Sequence, residues 1–137
     1  MLEAGVMKQL SIISENRFGI LTEISEALAN AEVNIESIDA ELVGDHVVIV
    51  LIAEPYDRAR QVVHQFPDMQ VVTEDAILVK LRNEPGALAK IARRFTDAGV
   101  GVRSVRFIQR DETYGLVAIS TDRTDKAMAL VSDVLVS

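Results

Sequence analysis

The chain has no cysteine and no tryptophan, and aromatic residues make up only 4% of its 137 positions. Without cysteine there is no disulfide, no thiolate nucleophile, no zinc ribbon and no iron–sulfur cluster. So few rings cannot build a base-stacking platform for single-stranded nucleic acid. Bases are also in short supply, 14 against 21 acids. The resulting net charge of −7 opposes non-specific nucleic-acid binding, which needs positive surface to displace counterions. No apolar run reaches the roughly 18 residues of a membrane span. The segment Met1 to Met7 lacks the basic and apolar regions of a secretory signal. These absences point to a cytoplasmic protein with neither a membrane nor a nucleic-acid partner. His46 and His64 fall in different elements with no carboxylate spacing around them, so no metal site is expected. Neither a phosphate loop nor a supported Ser-His-Asp arrangement is present, so no catalytic residue and no cofactor are expected either.

What is there is enough for a core: 49% hydrophobic and 26% charged residues mark a globular chain. Its length suits one domain or two very small ones. The charge is divided unequally. Residues 1–74 hold 13 acids and 4 bases, a net of −9, whereas residues 75–137 hold 8 acids and 10 bases, a net of +2.

The two halves repeat. Gln9–Asp39 lies over Ala76–Arg106 without a gap, and seven of the 31 pairs are identical where chance gives about two. The identities are Asn16/Asn83, Gly19/Gly86, Leu21/Leu88, Ile24/Ile91, Ala31/Ala98, Val33/Val100 and Ser37/Ser104. One extra residue in the second half then brings Asp57-Arg58-Ala59 over Asp125-Lys126-Ala127.

Each half reads alike. Gln9 to Ser14 is short, apolar and β-branched, which predicts a strand. Asn16 to Gly19 is a turn. Ile20, Leu21, Ile24, Ala27, Leu28 and Ala31 then mark one face of a helix. Val33 to Leu42 predicts a second strand, Gly44-Asp45 a hairpin turn and Val47 to Ala53 a third strand. Pro55 opens a second helix, and Gln70 to Thr73 predicts a short fourth strand. The second half gives strand Ile77–Leu81, helix Ala87–Ala98, strands Val100–Ile108 and Tyr114–Ser120, and helix Asp125–Leu135. Its fourth strand is missing or reduced to the last residues. The expected architecture is α+β: two ferredoxin-like βαββαβ units in tandem, 7–74 and 75–137, each an antiparallel sheet with helices on one face. Only Glu74-Asp75 separates them. Units this small bury little surface alone, so they should pack on each other or on a second chain.

The runs Lys8 to Asn16, Gly19-Ile20-Leu21 and Val33 to Ile38 resemble the start of an ACT domain. Asn83-Glu84-Pro85-Gly86-Ala87-Leu88-Ala89 resembles the same turn in its commoner form. The likeness covers Met7 to Val134 and is nearest to the regulatory small subunit of acetolactate synthase and to stand-alone tandem ACT proteins. It implies no catalysis. It implies an amino-acid effector held between paired units, an amino-acid biosynthesis enzyme as partner, and a homodimer or larger assembly.

The turn chemistry fits that role. A helix start offers unpaired N–H groups to a carboxylate, and a glycine there lets a ligand approach the backbone. The resemblance assigns ligand contact to positions matching Asn16, Gly19 and Asn34, with Arg17, Phe18, Ile20 and Leu21 around them. The second set is Asn83, Gly86, Ala87 and Leu88. It has Gly101 where the first has Asn34, and Pro85 where the first has Phe18. The alternative reading is a ligand-free dimerisation or protein-interaction module. Glu36 and Asp39 align with Arg103 and Arg106, so the second strands of the two halves are expected to pair by charge.

Overall fold

The structure is a computed structural model, and it describes residues 5–136. Most of the segment read against a secretory signal, residues 1–4, therefore lies outside the described part. The element order is β1 (Val6–Glu15), α1 (Ile20–Asn30), β2 (Asn34–Val43), β3 (His46–Glu54) and α2 (Tyr56–Val63). It continues with β4 (Gln70–Arg82), α3 (Ala87–Asp97), β5 (Val102–Arg110), β6 (Tyr114–Thr121) and α4 (Thr124–Leu130). The described strands that pair do so antiparallel in the α+β pattern expected of tandem ferredoxin-like units.

The first compact unit is Lys8–Glu74. Its strands run β2-β3-β1-β4. Period-two alternation sends Leu10 and Ile12 of β1, and Ile49 and Leu51 of β3, onto one face. There they meet Ile20, Ile24 and Leu28 of α1 and Ala59, Val62 and Val63 of α2. The second unit comprises residues 75–136 together with residues 5–7. Its strands run β4-β6-β5, and Ile77, Val79, Val117 and Ile119 pack beneath Ile91 and Phe95 of α3 and Ala127 of α4.

Three findings depart from the expected layout. First, Glu74-Asp75 is no boundary between strands. β4 is one strand of 13 residues, contributing 70–74 to the first unit and 75–82 to the second. Second, α4 stops at Leu130, and the chain beyond it extends along β4. Leu135 bridges Val79, the Lys80 N–H donates to the Val134 carbonyl, and the Val136 N–H donates to the Leu78 carbonyl. The N-terminal segment joins in, since the Leu78 N–H donates to the Gly5 carbonyl at 2.9 Å. The shortened fourth strand is thus made up from both ends of the chain. Third, among the described residues β2 pairs with β3 on one side only, and β5 likewise with β6. Among the described residues no strand pairing joins β2 to β5, so the expected charge pairing of Glu36 and Asp39 with Arg103 and Arg106 is not made by strand pairing.

The extra residue of the second half has a definite place. Both edge strands carry a bulge at the same point, between Ile35 and Ser37 in β2 and between Val102 and Ser104 in β5. Only β5 has a second, between Phe107 and Gln109. A bulge inserts one residue opposite the partner strand, so Ile108 is the insertion.

Closure by the chain ends leaves no room at Gly5. It has φ +75°, and an added Cβ would come within 2.7 Å of the Leu135 side chain. We expect Gly5→Ala to destabilise the second unit by about 1–3 kcal/mol, from overpacking and left-handed strain together. Gly44→Ala, also at positive φ but with nothing within 4 Å, should cost less. Denaturant unfolding of the two variants measures the difference, and equal losses would mean that Gly5 does not pack on Leu135.

Candidate ligand site

Both expected turns form where a strand ends and a helix begins. Gly19 and Gly86 are the N-caps, at φ +82° and +84°, a conformation glycine adopts without penalty. Neither helix has a side-chain cap, so Asn16 and Asn83 do not act as caps. The first intrahelical bonds are donated by Glu23 to the Gly19 carbonyl and by Lys90 to the Gly86 carbonyl. Residues 21–22 and 88–89 present N–H groups that no preceding turn of helix can satisfy.

Around the first turn, the Asn16 N–H donates to the Asp45 carbonyl at 2.8 Å. Arg17 pairs with Asp68, and with Glu23 at 2.9 Å. The hydrogen bond to Asp68, foremost, holds the guanidinium above its ordinary pKa. That charge is already answered by two carboxylates. Phe18 stands wholly in solvent, Leu21 is half exposed and Ile20 is buried in the first core. Asn34 is exposed at the start of β2, in register with Glu54.

A cavity of about 400 Å³ is lined by Arg82, Asn83, Gly86 and Leu88, joined by Phe107 and Arg110 from β5. Ala87 also lines it, while Ala87 and Leu88 pack partly on the second core. The Arg110 guanidinium lies 4.1 Å from the centre of the Phe107 ring, a cation–π contact that fixes its direction. Asn83 ties the turn to the β5–β6 hairpin: its N–H donates to the Thr113 carbonyl and its side-chain amide to the Asp111 carbonyl at 2.7 Å. Glu84 lies 3.8 Å from Arg82. The cavity thus sets Arg82 and Arg110 beside a helix start, a setting that favours an anion over an apolar ligand.

Phe107 and Arg110 are not among the ligand-site residues expected from the sequence. By strand register the same places in the first unit hold Ala40 and Leu42, opposite Ile49 and Val47 as Phe107 and Arg110 are opposite Val117 and Gly115. The bulge at Ile108 offsets the repeat by one residue at this point, which hides the correspondence. Among the described residues, no cluster of three His, Asp or Glu side chains could hold a metal. No helix there is long and apolar enough to cross a membrane.

The family model for an ACT domain pair matches residues 5–135. This chain belongs to the ACT domain pair family. No curated protein matches it in sequence. Among solved structures, a protein from Bacteroides thetaiotaomicron is similar at 27% identity, with 97% of this chain and 93% of that one covered and a TM-score of 0.79. The regulatory subunit of aspartate kinase from Thermus thermophilus shares the fold at 16% identity, covering 97% and 95% with a TM-score of 0.64. The one from Thermus flavus does so at 15%, covering 95% and 90% with a TM-score of 0.63. ACT pairs are a regulatory type of domain, and both turns lie within the matched span.

The hairpin behind the second turn depends on one carboxylate. Asp111 accepts the N–H groups of Tyr114 at 2.7 Å and Thr113 at 2.8 Å, and these bonds, Tyr114 first, hold its pKa below the ordinary 3.8. A depressed carboxyl contributes stability that is complete above its unfolded pKa and is lost as pH falls through the folded one. We therefore expect the Tyr114 amide resonance to titrate with a midpoint below 3.8. A midpoint at or above that value would show that the carboxylate does not hold the hairpin.

Proposed function

We propose that this ACT pair is a regulatory sensor of a small amino acid, with no catalytic role. It modulates a partner enzyme of amino-acid metabolism, or its own assembly, in the cytoplasm. The observation that carries this reading is the cavity at the second turn, where Arg110, held on Phe107, faces the same space as the start of α3. The effector carboxylate takes the N–H groups of Leu88 and Ala89 and the Arg110 guanidinium, each a charge-assisted bond. The effector side chain rests on Phe107 and Leu88. Gly86 and Ala87 set the backbone, and Asn83 positions the turn through its bond to Asp111. The first turn, with Asn16, Arg17, Phe18, Gly19, Ile20, Leu21 and Asn34, is the weaker of the two. Its arginine is committed to Asp68 and Glu23, and Ile20 faces the core. The likeness to regulatory subunits of aspartate kinase supports a regulatory role at the level of fold. Sensing further requires that the effector bind one conformation or assembly better than another.

One observation favours the ligand-free alternative: the side-chain amide of Asn83 is already spent on the hairpin rather than turned to a ligand. In that reading the protein is a dimerisation or interaction module.

Thermal unfolding against each of the twenty amino acids separates the two. An effector at 100 times its Kd adds about 2.7 kcal/mol and raises the Tm visibly. We expect one amino acid, or a few related ones, to do so, Arg110→Ala to abolish the shift, and Asn34→Ala to leave most of it. No shift with any amino acid would leave the interaction module standing. A shift lost in Asn34→Ala but kept in Arg110→Ala would move the site to the first turn.

A further inference from the structure

The arginines of this fold differ in how far their charge is answered. Arg17 is saturated by Asp68 and Glu23, and Arg94 by Asp133 and the Leu130 carbonyl. Arg82 and Arg110 keep theirs open. Glu84 stands 3.8 Å from Arg82, beyond hydrogen-bond distance, and among the described residues no carboxylate is closer to either guanidinium. What holds them is aromatic. Arg82 lies 5.7 Å from the centre of the Tyr114 ring, and Arg110 lies 4.1 Å from that of Phe107. A ring face directs a guanidinium without using up its N–H donors.

Both arginines line the cavity of about 400 Å³ at the start of α3, a volume at the small end of ligand pockets. Glu84 is the one acid that lines it. Asp111 follows Arg110 in the chain but is not in the lining, and its carboxylate is committed to the N–H groups of Thr113 and Tyr114. Arg82 and Arg110 against Glu84 leave a surplus of one positive charge, and the helix start adds a partial one. Lys80, 4.4 Å from the centre of the same Tyr114 ring, strengthens the positive potential around Arg82. A neutral amino acid has one carboxylate, which Arg110 and the start of α3 suffice to hold. Arg82 would then face it with donors still open. An amino acid with two carboxylates and one ammonium carries the single negative charge that cancels the surplus. The first turn is built the other way round: the repeat sets Glu15 where the second turn has Arg82, and Arg17 where it has Glu84.

We propose that the effector is an acidic amino acid, aspartate or glutamate, and that Arg82 is the residue that selects it. The proposal rests on the sensor reading of the same cavity. The α-carboxylate meets Arg110 and the start of α3, and the second carboxylate takes the Arg82 guanidinium in a bidentate bond. The ammonium meets Glu84, and the methylene stem lies along Phe107 and Leu88. Glu15 repels the same ligand from the first turn, so acidic amino acids occupy the second turn alone.

Thermal unfolding of the full chain, titrated with glutamate against glutamine and with aspartate against asparagine at one neutral pH and constant ionic strength, tests this. Each pair differs by one charge and hardly in shape. The acidic member should bind about tenfold or more tighter, because its amide replaces a charged hydrogen-bonded pair by a weaker one. In Arg82→Gln the Kd of the acid should rise to that of its amide, while the Kd of the amide stays unchanged, which also shows that the variant folds. Arg82→Lys keeps the charge and should keep most of the preference. Arg110→Gln should weaken acid and amide alike. Amides or apolar amino acids binding as tightly as acids would overturn the acidic effector and leave the sensor standing, and so would an Arg82→Gln variant that weakens acid and amide equally. No shift with any of the twenty amino acids would remove the sensor reading itself, and this proposal with it.

Discussion

The backbone of Leu78 is the point on which the second unit depends. Its N–H donates to the Gly5 carbonyl and its carbonyl accepts from the Val136 N–H, both at 2.9 Å. Buried backbone groups must be paired, and an open edge at β4 would leave that row unsatisfied beside the core. Val79 next along the strand is fully buried, facing α3 while Leu135 bridges its backbone. The short run after α4 is held from a second direction as well. Arg94 of α3 grips Asp133 with both guanidinium nitrogens, and donates to the Leu130 carbonyl at 3.0 Å. The hydrogen bond to Arg94, foremost, holds the Asp133 carboxyl below its ordinary pKa. Backbone pairing, apolar contact and this ion pair therefore act on the same few residues.

The second turn inherits that order. β4 ends at Arg82, and Asn83 and Gly86 follow directly, so the turn is placed by the strand that the chain ends secure. From the other side, the hairpin delivers Phe107 and Arg110. The insertion at Ile108 decides which residues those are, because one extra residue reverses the faces of everything beyond it. The same backbone plan in the first unit, without the insertion, brings Ala40 and Leu42 to those places. Two turns of matching geometry thus differ in chemistry for a reason that lies a strand away from either.

Much of this was legible in the residues. The helices follow from the spacing of Ile20, Ile24 and Leu28 and of Ile91 and Phe95. The turns follow from Gly19 and Gly86, since the left-handed cap admits little else cheaply. The repeat exposed the architecture, and the motif pointed to the ACT family. Three things were hidden. The pair Glu74-Asp75 read as a break because acids are rare in strands, yet β4 runs through it. The residues after Leu130 continue the apolar pattern of α4, but Leu135 is worth more as a strand neighbour of Val79 than as another half-turn of helix. Phe107 and Arg110 belong to no local motif, and only the strand register relates them to the turn. Side chains brought together by pairing across strands leave no spacing for a sequence to display. The end of the first helix makes the opposite point: Glu32 holds φ +59° where its repeat counterpart is Gly99 at +72°, so identical geometry did not require identical residues.

Residues 5–7 belong to the second unit although they precede the whole of the first. During synthesis they leave the ribosome early and must wait for partners that are made more than 70 residues later. The usual order, in which an N-terminal domain folds first and the next follows, cannot complete here. The first unit can collect its own residues as soon as Glu74 has emerged, whereas the second must recover a segment that was made before all of the first. Contacts of such long range slow folding, because loop closure is paid before the contact repays it. A nascent chain arrested before Val136 would therefore hold one finished unit and one unpaired strand edge. Only when residues 134–136 have been made can that edge be closed to other chains.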